Sequence, residues 1–292
     1  MTLPDGFLPR IGFILQNYKG SFLSGMGNTM LIAVVSTFIG CVIGLAVGIV
    51  QTIPSDRKAN PVSYWILAVI KFMLNAYVEI FRGTPMMVQA MFIYYGSSIV
   101  FGLDLSMYQA AFLIVSINTG AYMAETVRGG ILSIDPGQTE GAMAIGMTHY
   151  QTMTSVILPQ ATRNIMPQIG NNLIINIKDT SVLSVIGVME LFYTTKGIAG
   201  AYYTYFEAFT VTMVIYFILT FICSRILRAL EHRMDGPDNY ELVLNDSLTM
   251  GEGTYKVKAV DRSEMNSDLK EKKRLAEAGK AAIDNGNQRE GL

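Results

Sequence analysis

Charge is what this chain has least of. Asp, Glu, Lys and Arg make up 15% of its 292 residues, where soluble domains carry about 25%. Hydrophobic residues reach 51%, which excludes an ordinary water-soluble domain and points to an integral membrane protein in contact with lipid. The 22 basic and 23 acidic residues nearly cancel, for a formal net charge of −1, so no nucleic-acid partner is expected. Only two cysteines occur, Cys41 and Cys223, both within apolar runs. That placement suits packing better than a disulfide or a metal pair. The two histidines, His149 and His232, stand in polar segments without Cys, Asp or Glu at ligand spacing, so no metal site is expected. There is no GxxxxGK[ST] phosphate loop and no clustered nucleophile and base, so no catalytic residue is expected. Residues 1–12 lack a basic region followed by an apolar core and a small-residue cleavage site. No cleaved signal peptide is expected, and the first span serves as the insertion signal.

Apolar runs of membrane length are what the chain does have. The first covers about residues 30–50, close to the roughly 20 residues a helix needs to cross the hydrocarbon. Within it Gly40, Gly44 and Gly48 recur at four-residue spacing on one face, either as a close-packing seam or as glycines merely tolerated in a membrane helix. Residues 61–81 begin apolar but carry Lys71, Asn75 and Glu79 at the same spacing. That polar stripe predicts an interfacial or bent helix rather than a span, because a lysine at mid-bilayer is costly. Spans are expected instead at 86–103, 107–127, 169–189 and 207–226, five in all. The basic cluster Arg225, Arg228, His232 and Arg233 places the end of the last span in the cytoplasm. Five spans then put Arg57 and Lys58 inside and the N-terminus outside; six would reverse both. From about residue 240 the composition turns charged and poor in large apolar residues, which predicts a disordered cytoplasmic tail, 240–292. Residues 1–29 form an N-terminal segment and 30–239 the membrane domain.

The long polar interruption, residues 129–164, carries Glu140-Gly141-Ala142, Gly146 and Leu158-Pro159. Pro136 and Gly137 break the chain there, and Thr139 is placed to cap a short helix starting near Glu140, whose charge suits a helix N-terminus. Small side chains at Gly141, Ala142, Ala144 and Gly146 would let a partner groove approach. Pro159 would limit the helix that follows. By itself the loop reads equally as a docking knob or as a connector.

Three segments, taken together and in order, resemble the ABC-transporter permeases of the polar amino-acid (histidine/glutamine/arginine) importers. The first is Glu79-Ile80-Phe81-Arg82-Gly83-Thr84-Pro85, followed by Val88-Gln89 and Tyr94-Tyr95-Gly96. The second is Ala121-Tyr122-Met123-Ala124-Glu125-Thr126-Val127-Arg128-Gly129-Gly130-Ile131, leading to Gly137-Gln138-Thr139-Glu140 and Gly146-Met147. The third is Ile157-Leu158-Pro159-Gln160-Ala161, then Arg163, Pro167 and Asn171, Lys178-Asp179-Thr180-Ser181 and Glu190-Leu191. The resemblance covers about residues 20–235. Two departures stand out: the family usually has Ala at the position of Gly141, and its C-terminus is usually short.

The resemblance implies an all-α type I importer permease core in the prokaryotic cytoplasmic (inner) membrane. It implies a cytoplasmic coupling helix at Glu140 to Gly146, with Leu158 and Pro159 beyond it. Partners would be two ABC ATPase subunits, which bind the ATP and Mg, a second permease subunit, identical or homologous, and an extracytoplasmic amino-acid-binding protein. No cofactor is expected on this chain itself. A secondary transporter or channel that runs without ATP is the alternative class. Candidates for the substrate pathway are Glu125, Asn172, Asn176, Lys178, Asp179 and Ser181, since intramembrane polar groups face protein or a water path. A polar helix–helix seam would use the same residues. Adjacent Lys178 and Asp179 do not face each other on a helix, which leaves Glu125 as a candidate partner. Glu79 and Arg82, three residues apart, would pair across one helical face and fix the bend before Pro85, with a gating role for this segment as the alternative. Arg128 is divided between structural pairing and the pathway.

Overall fold

The computed structural model describes residues 3–54 and 61–235, within the unit Met1–Gly236 of a chain that divides into two compact units. The expected tail, 240–292, lies outside the described residues, as do Arg57 and Lys58 and the side chains of His232 and Arg233. Every regular element among the described residues is helical: α1 (Phe7–Thr52), α2 (Pro61–Gly83), α3 (Met86–Phe101), α4 (Met107–Leu132), α5 (Pro136–Ala144) and α6 (His149–Thr152). A π-helical turn (Met153–Ile157) leads into α7 (Leu158–Asp179), and a 3₁₀ segment (Thr180–Ile186) follows; α8 (Leu191–Tyr202) and α9 (Tyr205–Asp235) close the fold.

Four of these helices are long and apolar enough to cross a membrane: α1, α2, α4 and the Tyr205–Glu231 part of α9. A fifth span results if the bent pair His149–Ile186 and Leu191–Tyr202 counts as one. The expected number therefore stands, but its membership changes. The 61–81 stretch, expected to be interfacial, is a 23-residue apolar helix, and 86–103 is a 16-residue helix of about 24 Å, short of the roughly 30 Å hydrocarbon. The polar stripe misled because its charge has a partner that the sequence does not display. Lys71 Nζ donates to the carbonyl of Ile53 at the C-terminal end of α1 (2.6 Å), and Gln51 Nε2 donates to Asn75 Oδ1 (2.8 Å). A lysine reaching the end of a neighbouring helix satisfies its charge there. The span expected at 169–189 is likewise corrected: α7 gives way to 3₁₀ geometry at Thr180, and the path turns by 55° before α8.

The first helix is 46 residues long, about 69 Å. Its second half packs on α4 through the three glycines. A Cβ added at Gly40, Gly44 or Gly48 would lie 2.6, 2.3 or 2.7 Å from Thr119, Met123 or Val127 respectively. The glycines are thus a dedicated seam. Lipid tails are as apolar as leucine, so close van der Waals packing rather than burial alone holds such helices together. Apolar cores flank the seam: Ile32, Ala90, Ile114 and Leu183 on one side, Met123, Val127, Ile157 and Ile165 on the other. The first half of α1 packs separately on α8 and α9 through Ile14, Phe22, Leu191, Ile198 and Val211.

Candidate functional site

The break between α2 and α3 is built by two side-chain amides. Pro85 has no N–H to donate and biases Thr84 away from helical geometry, so the last carbonyls of α2 need other donors. Gln89 Nε2 donates to Phe81 O (2.9 Å), Thr84 O (2.9 Å) and Thr84 Oγ1 (2.8 Å). Asn118 Nδ2 on α4 donates to Phe81 O (3.2 Å) and to Gln89 Oε1 (2.9 Å). The bend is therefore fixed by amides, and the Glu79–Arg82 pair expected to fix it does not form. Glu79 is exposed, with no ion pair among the described residues. Arg82 instead pairs with Glu125 on α4 and lies over the Tyr122 ring, 5.5 Å from its centroid. The other oxygen of Glu125 stands 3.8 Å from Arg128. One carboxylate thus bridges two guanidinium groups, and Glu125 is not the partner of Lys178.

Beside this bridge a cavity of about 470 Å³ opens between α2, α3, α4 and α7, within the roughly 300–1,000 Å³ of small-molecule sites. Arg82, Pro85, Asn118, Asn172, Asn176 and Asp179 contribute its polar and bend residues, and Met86 brings the N-terminal turn of α3 to it. Among the expected pathway residues, Asn172, Asn176 and Asp179 line this cavity, whereas Lys178, exposed, and Ser181, half-buried, do not. Glu125 touches it only through Arg82. The asparagines are anchored at its wall. Asn176 Nδ2 donates to Thr37 Oγ1 (2.7 Å) and Thr119 Oγ1 (2.9 Å), joining α7 to α1 and α4. The Thr37 hydroxyl in turn donates to Ala33 O (2.6 Å). Asn172 Nδ2 donates to Gln168 O (3.0 Å) and approaches Met123 Sδ (3.3 Å). The wall therefore carries a cation, an anion and several amides, with the two charges drawn from different helices.

The loop between α4 and α7 forms a separate site. Pro136 starts α5 rather than breaking it, a position where its missing N–H costs nothing. Asp135, not Thr139, is the cap, accepting from Gly137 N at 2.7 Å. Helix α5 ends in a Schellman arrangement: Met147 N donates to Ala142 O (3.1 Å) and Gly146 N to Met143 O (3.0 Å), with Gly146 at φ +86°. Gly146 is thus needed for its backbone conformation, whereas the sequence suggested only its small size. Glu140 and Gly141 are exposed, and a Cβ at Gly141 would meet nothing within 4 Å. Ala142, expected on the partner side, is turned inward at 6% exposure, and Leu158 packs with the α4–α7 core. Sequence reasoning missed the apolar side chains that do project, Met143 and Ile145 at 49% and 80% exposure. Pro159 is exposed in the first turn of α7. A π-helical turn precedes it and the helix continues through Pro159, where a limit was expected.

Comparison with known proteins identifies the family. Residues 59–236 match the family described as binding-protein-dependent transport system inner membrane component. The chain is 38% identical over 213 residues to the glutamine transport system permease protein GlnP of Escherichia coli (strain K12), covering 73% of this chain and 92% of that protein. It is 33% identical over 231 residues to the arginine transport system permease protein ArtQ of Bacillus subtilis (strain 168), covering 79% and 96% respectively. A crystal structure of an amino acid ABC transporter with histidines superposes with a TM-score of 0.66 at 35% identity, covering 80% of this chain and all of that one. An inward-facing form of the MetNI methionine ABC transporter shares the fold, with a TM-score of 0.54 at 24% identity over 72% of this chain and 95% of that one.

Proposed function

The chain belongs to the family of binding-protein-dependent transport system inner membrane components, and from that membership we propose that it is the membrane permease subunit of an ATP-driven importer of polar amino acids. The observation that carries the substrate class is the cavity beside Arg82. A free α-amino acid brings a carboxylate and an ammonium together. Arg82, next to the N-terminal turn of α3, suits the carboxylate, and Asp179, lining the cavity from α7, suits the ammonium. Asn118, Asn172 and Asn176, whose amide N–H groups are already engaged, offer their Oδ1 atoms as acceptors for a polar side chain. Because Glu125 already engages Arg82, an incoming carboxylate would compete with it, and Arg128 stands ready to keep the displaced Glu125 paired.

The exposed face of α5, with Glu140, Gly141, Met143 and Ile145, is the docking surface for an ATPase subunit. ATP and Mg bind on that ATPase subunit, and no step of hydrolysis falls to this chain. An extracytoplasmic binding protein delivers the substrate, and two permease subunits with two ATPases complete the importer. Movement delivered at α5 alternates the access of the cavity by rigid-body motion. The test is reconstitution with the cognate ATPase and binding protein, using labelled L-glutamine, L-arginine and L-histidine as probes. Uptake that needs ATP, and is lost together with ATPase copurification in a Glu140→Arg/Ile145→Asp double variant, is the expected result. Uptake by the chain alone, driven by an ion gradient, would overturn it.

A further inference from the structure

The 55° break before α8 holds a buried carboxylate that transport through the cavity leaves unexplained. Glu190 is 0% exposed, and no lysine or arginine pairs with it among the described residues. Three donors converge on its two oxygens instead. Tyr193 N donates to Oε1 (2.6 Å), Phe192 N to Oε2 (2.8 Å), and the Tyr216 hydroxyl of α9 also to Oε2 (2.9 Å). The remaining N–H of this turn, on Leu191, donates to Thr29 Oγ1 of α1 (3.2 Å). The first three donors of α8 are therefore closed by the break itself and by α1, with α9 tied on through Tyr216.

A serine or asparagine would cap α8 as well as a glutamate does. What a two-oxygen acceptor adds is a simultaneous hold on α9. Other bonds set α8 into the same block: Thr195 with Thr212, and Tyr18 with Tyr202 (2.8 Å). The Arg10–Glu207 pair (3.2 Å) ties the start of α1 to the start of α9. The cavity wall α7 is tied through Asn176 to Thr119 of α4 and to Thr37, about two turns beyond Thr29 along α1. Between the two sets of bonds run the 3₁₀ segment and Gly187, whose φ of +85° belongs to a glycine.

We propose that Glu190 is a positioning residue for transport: it clamps the break so that movement reaching α7 from the docking loop turns about Gly187 against a fixed α8. This rests on the ATP-driven reading above. The test uses the full chain, co-expressed with its ATPase in lipid nanodiscs and proteoliposomes, with Glu190→Gln and Tyr216→Phe. Gln keeps the size but turns one acceptor into a donor facing donors. Basal ATP hydrolysis and copurification should stay within about twofold of the parent, since the docking surface is untouched. Binding-protein-stimulated hydrolysis and uptake should fall by roughly tenfold or more in Glu190→Gln, the scale of losing a charge-assisted bond, and by less in Tyr216→Phe. Spin labels at Lys196→Cys and Gln168→Cys, with Cys41 and Cys223 replaced by Ser, should show a broadened α8–α7 distance in Glu190→Gln. An unchanged stimulation ratio with an unchanged distance width would overturn the proposal, as would uptake falling only in step with the amount of assembled complex. If the parent chain itself fails to couple to an ATPase, the importer reading fails, while the spin-label distance still tests the clamp.

Discussion

Gly44→Ala should loosen the α1–α4 seam more than any other single methyl added to α1. The new Cβ would stand 2.3 Å from Met123 Cβ, 2.8 Å from Met123 backbone carbon and 2.9 Å from Ala124 N. Ordinary contact begins near 3.4 Å, so α1 and α4 must part by about an ångström. Two of the three obstacles are backbone, which no rotamer change relieves. Overpacking of this kind costs about 1–3 kcal/mol, against which alanine returns about 1 kcal/mol of helix propensity. The same helix supplies the control. Gly27 is exposed, and a Cβ there meets nothing within 4 Å, so Gly27→Ala should be neutral or stabilising by about 0.5–1 kcal/mol. The assay is the midpoint of thermal unfolding in one detergent at one scan rate, where about 1 kcal/mol moves a chain of this size by about 2–4 °C. Gly44→Ala should melt several degrees below Gly27→Ala. Adding Gly40→Ala to Gly44→Ala should cost less than the sum, because helices already parted accept the second methyl more easily. A Gly44→Ala midpoint equal to or above that of Gly27→Ala would refute the seam.

In the docking loop, Gly146→Ala places a side chain in the left-handed region at a cost of about 1–2 kcal/mol; ATPase copurification should drop, whereas Gly141→Ala should leave it unchanged. Asn176→Leu leaves Thr37 and Thr119 without their shared donor inside the bundle, so the unfolding midpoint should fall by the equivalent of about 1–3 kcal/mol and uptake should be lost. Glu125→Gln should change stability little, since a half-exposed pair contributes about 0–1 kcal/mol, yet alter the substrate concentration for half-maximal uptake; Glu79→Gln, outside the pairing network, should do neither. Equal uptake profiles for these two variants would remove Glu125 from the site.

Much of this protein can be read in one dimension because membrane insertion is itself a local property. Low charge, long apolar runs and the four-residue glycine spacing report on single helices, and each of those features appears in the fold. The Glu140–Gly146 segment was equally legible, because capping and turn chemistry act over a few residues. Even there the detail shifted: Asp135 rather than Thr139 caps α5, and Ala142 faces inward. Which side of a nine-residue helix is covered depends on the π-helical turn and α6 packed against it.

Sequence spacing alone identified the wrong partners wherever the true partner sits on another helix. Arg82 and Glu79 are three residues apart and form no pair; Arg82 and Glu125 are far apart in the chain and do. Lys71 seemed to disqualify α2 as a span until the end of α1 was found to receive it. Glu190 reads as one acidic residue near a motif, and its role depends on donors from α8 and α9 meeting at one point. The sequence by itself determined that this protein lives in a membrane, which family it resembles and that a short helix lies between α4 and α7, since those follow from hydropathy, motif order and short-range backbone chemistry. Tertiary structure alone decided which polar groups share a cavity, which ions pair and where the chain bends. Those contacts join residues that helical periodicity cannot bring together, and only the packing of separate helices fixes the distance between them.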